Sequence, residues 1–301
     1  MAAKSLLVVG AATRDVDPTD SRGWRLGGTV AYTALAAARF GINVWALIGA
    51  DHEAASAPEL HALSAAGVVV SVAPLRQGPI FDNRETPAGR AQFAVQASDP
   101  ISVVALPRAW TSADAVVLGP VGGEIGDEWA GIFSADTHVA LGWQGLLRSL
   151  VPGRPVSKRP MSRTPLVARA NSLLISAEDV PREAPAVSDL LRDGQELAVT
   201  HGRRGAIRLR VIGGRVEASY IPPVEPRPAV DTTGAGDVFL GAWMAARLAS
   251  GDARQGTRSL TVAAAMASLT VGRSGGVTRV PPRTELCELL VTLRRADRAG
   301  G

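Results

Sequence analysis

Asp231-Thr232-Thr233-Gly234-Ala235-Gly236-Asp237-Val238-Phe239 is the most informative stretch of this 301-residue chain. Past Asp237 an apolar run continues to Ala249 with helical spacing, so Gly234 and Gly236 fall at or just before a helix N-terminus. Glycines there let the backbone turn tightly and aim consecutive N–H groups outward. With the helix dipole they form a site for an anion such as a phosphate or a phosphoryl group in transfer. A carboxylate one residue on can accept a proton from a hydroxyl that attacks beside that anion. Its place at a helix start favours the ionised form at neutral pH.

Upstream of this stretch, short apolar runs alternate with helical segments. Leu6 to Gly10 reads as a buried strand, and Gly27-Gly28 opens a helix from Thr29 to Phe40 that Gly41 closes. Asn43 to Gly49 is a strand, Ala57 to Ala66 a helix and Val68 to Val72 a strand. Ala115–Leu118, Val139–Leu141, Leu173–Ile175 and Leu197–Thr200 are further strands. Such alternation predicts βαβ units and a parallel sheet. Ile207–Val211 and Val216–Ile221 read as an antiparallel pair around Gly213-Gly214. Helices follow over 237–249, 258–271 and 284–295. Residues 78–98 break the rhythm with a polar hairpin around Thr86-Pro87, a candidate lid. The expected architecture is a three-layer α/β/α sandwich in one domain, 1–301. Its central sheet is mainly parallel, and a small β flap is built from residues 11–26 and 76–98.

Composition narrows the function classes. Hydrophobic residues make up 46% and aromatics 4%, a profile for small-residue packing of helices on a sheet. The single cysteine, Cys287, excludes a disulfide framework, and its amphipathic helical setting predicts a packed thiol. The four histidines show no metal-ligand spacing. No apolar run is long enough to span a membrane, and the N-terminus lacks a signal pattern, so the expected location is cytoplasmic. The net charge of +4 is concentrated in Arg148 to Arg169 and in the tail Arg294-Arg295-Ala296-Asp297-Arg298. No recognition-helix or RNP pattern accompanies it. The reading is solvated loops, and no nucleic-acid partner is expected.

The nine-residue string resembles the signature of the ribokinase-like (PfkB) carbohydrate kinases, and the resemblance extends along the chain. Gly27-Gly28, Phe40-Gly41 and Gly49-Ala50-Asp51 are similar to the family's N-terminal motif. Val199 to Ala206 resembles its nucleotide-contacting strand end, and Ser274-Gly275-Gly276 with Val280-Pro281 its adenine-side loop. The resemblance implies a ribokinase-like kinase that uses ATP and Mg²⁺ and phosphorylates a hydroxyl of a small polyol or sugar. Asp237 would be the base, and the amides of Gly234, Ala235 and Gly236 the anion hole. Asp15, Gly27, Gly28, Asn83, Gln144 and Arg148 would hold the acceptor. Thr200, Gly202, Gly205 and Gly275 would hold the nucleotide. Asp179 would support Mg²⁺ through water, and Asp231 with Thr233 would form a K⁺-type site. Flap-mediated dimerisation in that family leaves a homodimer open.

The chain also departs from the family. Thr29 and Tyr32 stand where many sugar kinases carry Lys or Asn, and Ser176-Ala177-Glu178-Asp179 stands in place of Asn-x-x-Glu. Gly142 to Arg148 is similar to the Asp-x-Gln-x-x-x-Arg segment of myo-inositol kinases, with Gly142 replacing the acid. A myo-inositol-like cyclitol is the favoured acceptor on that ground. A nucleoside or a ribose- or fructose-type sugar is the alternative, as is a heterocycle stacked on Trp24 and Tyr32. A non-catalytic binding protein is the alternative of another class.

Overall fold

The computed structural model describes residues 3–86, 89–224, 228–250 and 256–299. In chain order the first elements are β1 (Ser5–Ala11), β2 (Thr13–Val16), β3 (Trp24–Gly27), α1 (Thr29–Ala38), β4 (Asn43–Ala50), α2 (His52–Ala55), α3 (Pro58–Ala65) and β5 (Val68–Pro74). The middle of the chain carries β6 (Ile80–Thr86), β7 (Gly89–Gln96), β8 (Ala115–Leu118), β9 (His138–Gly142), β10 (Arg148–Ser149), β11 (Arg154–Pro155), β12 (Ser157–Lys158) and α4 (Pro165–Arg169). The remainder is β13 (Ser172–Ser176), α5 (Val187–Leu190), β14 (Glu196–Thr200), β15 (Ala206–Ile212), β16 (Arg215–Ile221), α6 (Ala235–Ser250), α7 (Gly256–Val271) and α8 (Arg283–Ala299).

The main sheet has nine strands in the order β16-β15-β14-β13-β9-β8-β1-β4-β5. It is parallel except where β14, β15 and β16 pair antiparallel. β1 lies at its centre and is buried on both faces. Leu6 and Val8 join the core under α1 and α6, while Leu7, Val9 and Ala11 join the opposite core around Trp129 and Trp143. Burial on two sides is why the strand reads as an unbroken apolar run with no alternation. The two cores with the sheet between them are the expected three layers.

Helix α6 carries the signature and is held at both ends. Gly241 lets it lie directly on α1, since a Cβ there would sit 2.3 Å from the Thr33 carbonyl oxygen. At its C-terminal end Arg247 pairs with Glu196 at 2.6 Å. Glu196 also accepts from Arg208 at 2.7 and 2.9 Å and from the Ser172 hydroxyl at 2.9 Å. Breaking a buried, fully partnered ion pair of this kind costs about 3–5 kcal/mol.

The flap is a separate five-stranded sheet, β11-β7-β6-β2-β3, drawn from the two expected segments. Pro87, at the tip of the predicted hairpin, lies outside the described residues. β11 is an addition from the basic segment, pairing Arg154 with Ala94 and Pro155 with Phe93. A strand of two residues carries no periodicity to read. Arg14 on β2 ties the flap to the body through Asp51, at 2.8 Å, and Asp51 in turn caps α2 by accepting from the Ala54 N–H.

One packing expectation is corrected. Leu286 and Leu289 face inward on α8, and this register turns Cys287 to solvent. In the basic segment Arg154, Lys158, Arg159 and Arg163 are exposed as expected, but Arg148 is not. The side chains of the tail residues 294–298 lie outside the described residues. Among the described residues no helix is long and apolar enough to cross a membrane, and no group of three or more His, Cys, Asp or Glu could hold a metal ion.

Candidate active site

A cleft of about 580 Å³ runs between the flap and the edge of the main sheet where β9, β13 and β14 end. Open α/β sheets bind ligands at this edge because the loops leaving the strands converge there. Residues from both halves of the chain line it, including Asp15, Gly28, Asn83, Gln144, Arg148, Asp179, Thr200, Gly202, Gly205 and Gly234 to Asp237.

Helix α6 starts at Ala235, two residues earlier than the sequence suggests. Its first intrahelical bond is Val238 N–H to the Gly234 carbonyl at 2.9 Å. The N–H groups of Gly236 and Asp237 therefore have no acceptor within the helix. The Ala235 N–H is turned back onto the Thr232 carbonyl at 3.2 Å, which engages one of the three amides expected to form the anion hole. Gly234 is required twice over. Its φ is 72°, and a Cβ would lie 2.7 Å from the Tyr32 ring.

Asp237 stands at the head of this helix, half-buried in the cleft. Burial pushes its carboxyl pKa up to about 6, and the charges of Asp15 and Asp179 push the same way. A hydrogen bond from the Thr29 hydroxyl and the Arg148 guanidinium oppose the rise. Desolvation thus outweighs the helix-start effect that the sequence suggested, yet at pH 7 about nine-tenths of the carboxyl is still ionised. Thr29 opens α1 directly after Gly28, whose φ of 97° and closeness to the Ala11 carbonyl (2.3 Å from a Cβ) admit no side chain. The double glycine thereby delivers a hydroxyl to the base. Thr33, one turn on, donates to the Asp237 carbonyl at 3.0 Å.

The acceptor side is polar. Asp15 on β2 accepts from the Thr13 hydroxyl at 3.0 Å, and its carboxylate lies so near Gly27 that a Cβ there would be 2.5 Å from Oδ2. The Asn83 amide oxygen accepts from Gln92 Nε2 at 3.0 Å. Gln144 donates to Asp179 at 2.7 Å, and Arg148 stands 4.0 Å from the other Asp179 oxygen. Three residues read as separate acceptor and metal functions thus form one cluster. Arg148 is 18% exposed, its charge disfavoured by burial and supported by Asp179, Asp237 and Asp15. That surrounding makes it part of the site and no surface arginine. Trp24 does not line the cleft. Its ring lies under Arg22, 4.5 Å from the guanidinium, which removes it as a stacking platform.

The other arm of the cleft passes Thr200, Gly202 and Gly205 and has an apolar wall of Val224, Ala264, Ala267 and Val271. Gly275, expected on the nucleotide side, is not among the residues that line it. Gly276 instead borders a smaller adjoining hollow beside Asp231 and Thr233. Those two residues are also corrected. Asp231 pairs with Arg279 at 2.6 Å, and the Thr233 carbonyl accepts from the same guanidinium, which takes up the place assigned to a monovalent cation. Thr29 and Glu178 line the cleft although sequence reasoning assigned neither to it, and Thr29 gains its role only from Asp237, distant in the chain.

Residues 171–283 match the family model described as pfkB family carbohydrate kinase. No curated protein matches in sequence. A pyrophosphate-dependent kinase of the ribokinase family, solved with a pyrophosphate analog and myo-inositol, superposes with a TM-score of 0.71 at 18% identity. That match covers 94% of this chain and 99% of that one. The chain has the ribokinase-like fold. Ribokinase from Cryptococcus neoformans var. grubii serotype A, in complex with ADP, matches this fold with a TM-score of 0.67. Identity is 18%, over 95% of this chain and 99% of the other. The nucleoside kinase of Methanocaldococcus jannaschii matches at 0.68 and 16%, over 96% and 98%. Identities this low establish the fold alone. The nine-residue signature lies inside the segment that the pfkB model matches.

Proposed function

We propose that the protein transfers the γ-phosphoryl group of ATP to a hydroxyl of a small polyol or sugar, with a myo-inositol-like cyclitol as the favoured acceptor. The observation that carries this is the position of Asp237. It stands at the N-terminus of α6, between a polar pocket on one side and an apolar-walled arm on the other. Asp15, Asn83, Gln144 and Arg148 offer charged and amide groups matched to a polyhydroxylated ring. The wall of Val224, Ala264, Ala267 and Val271 suits a flat heterocycle, which supports a nucleotide donor over bare pyrophosphate. The pyrophosphate-dependent neighbour makes that second donor the one to test against.

In this reading Asp237 orients the acceptor hydroxyl and takes its proton as the oxygen attacks the terminal phosphorus. Thr29 fixes the carboxylate, and Arg148 offsets charge as the proton moves. The outward N–H groups of Gly236 and Asp237 face the charge that develops on the transferring group, where preorganised donors are most effective. Asp179, beside the acceptor residues, and Glu178 both line the cleft and would hold a Mg²⁺ whose other ligands are phosphates and water. That ion would neutralise phosphate charge.

The test is an acceptor panel of cyclitols, pentoses, hexoses and nucleosides, with ATP and pyrophosphate as alternative donors and product formation as the readout. Cyclitol- or sugar-dependent turnover with ATP is expected. Turnover with pyrophosphate alone would overturn the donor assignment, and thermal stabilisation by ATP without turnover would favour a binding protein.

A further inference from the structure

Arg279 ends a short 3₁₀ turn, Gly276–Arg279, and its side chain is 0% exposed. A fully buried arginine is rare unless its charge is matched. Here Nη1 lies 2.6 Å from Asp231 Oδ2 and donates to the Arg273 carbonyl at 3.2 Å. Nη2 donates to the Thr233 carbonyl. One carboxylate and two carbonyls therefore converge on a single cation, and they come from the two loops behind the anion hole. The first loop, 231–234, runs straight into the N-terminus of α6. Asp231 additionally accepts from the Thr233 N–H at 2.9 Å, so the carboxylate that Arg279 holds also shapes the turn leading to Gly234.

We propose that Arg279 is a tethered cation that fixes the anion-hole loop, so that this enzyme works without a bound monovalent metal ion. Carboxylate and carbonyl oxygens are the donor types a K⁺ ion takes, and here the guanidinium already engages three of them with directional donors. A second positive charge placed against a buried guanidinium would be repelled in surroundings that screen poorly. Arg279 does not line the cleft, so its role is positioning: it acts through Asp231 and Thr233 on the amides beside Asp237.

The activity arm of the test rests on the kinase reading, and a melting arm does not. For the full-length chain, melting temperature and acceptor-dependent rate are compared in potassium chloride and choline chloride at about 0.1 M ionic strength. Equal values in both salts are expected. A K⁺-specific rise in melting temperature, or a rate increase beyond about fivefold, an energy of about 1 kcal/mol, would overturn the proposal. The variant Arg279→Ala should lose about 100-fold in kcat with little change in acceptor KM, as a loop displaced near the chemistry does. Added guanidinium or K⁺ should return part of that loss, and Arg279→Lys should fall between. A folded Arg279→Ala enzyme with wild-type kcat, or one that neither cation rescues, would sink the role. If the variant fails to fold, the two-salt comparison of the natural chain decides alone. Absence of turnover in both salts would count against the kinase reading only, leaving the melting comparison to decide on Arg279.

Discussion

Replacing Asp237 with asparagine should make the protein more stable and nearly inactive at the same time. The carboxyl pKa stands at about 6 against an ordinary 3.8, chiefly because folding strips water from the ionised form. Each pKa unit corresponds to about 1.4 kcal/mol, so the rise of roughly two units sets an upper limit near 3 kcal/mol. Asp237 is only half-buried, and screening from the open cleft reduces the figure to about 1–2 kcal/mol. The sign follows from proton binding. The folded state holds the proton more tightly than the unfolded chain, so the cost is full above pH 6, shrinks between pH 6 and 4, and vanishes below. Asparagine has the same shape and can still accept from Thr29 but carries no charge. The expected result at pH 7 is a melting temperature about 2–3 °C higher, with the gain fading towards pH 4. Removing the general base should lower kcat by about 10²–10⁴. Paired thermal melts at pH 7 and 4.5, with initial rates on the acceptor found by the panel, test both halves. A destabilised variant at pH 7, or one that keeps its kcat, would refute the reasoning.

The pH profile of kcat/KM should fall on the acid side with a midpoint near pH 6, and Thr29→Val should move that midpoint upward, because the lost hydrogen bond favours the ionised form. A profile flat through pH 5–7, or one that Thr29→Val leaves in place, would detach this pKa from catalysis. Gly27→Ala would put a Cβ 2.5 Å from Asp15 Oδ2 and 2.6 Å from Thr13 Oγ1. Pushing Asp15 aside should raise acceptor KM about tenfold or more and leave donor KM unchanged, at a stability cost of about 1–3 kcal/mol. An unchanged acceptor KM would remove Asp15 from the acceptor pocket.

The fold could be read because strands buried on two faces must be apolar throughout. Leu6–Gly10 and Ala115–Leu118 advertise themselves in that way. The carboxylate at the helix start could be read because Gly234-Ala235-Gly236-Asp237 packs turn, helix start and acid into four consecutive residues. Arg279 could not. It lies 48 positions after Asp231 in a chain of 32 basic residues, and only the fold of the 271–280 loop brings it under the signature. Thr29 was noticed as a departure from a pattern, but its hydroxyl matters only because α1 and α6 touch. Gly275 falls outside the cleft lining while Gly276 borders the adjoining hollow. A Gly-Gly pair fixes a turn, while which of the two faces the ligand depends on how that turn packs. Cys287 went astray on helix register, since its neighbours Leu286 and Leu289 are the buried pair.

The central claim is transfer of a phosphoryl group to a carbon-borne hydroxyl with Asp237 as base. Phosphorus NMR of the full-length chain with ATP, Mg²⁺ and the acceptor selected by the panel tests it most directly. The account predicts a new phosphomonoester resonance that grows in step with ADP and is absent when Asp237→Asn replaces the natural chain. Release of inorganic phosphate alone, or the same phosphomonoester at the same rate from Asp237→Asn, would contradict it.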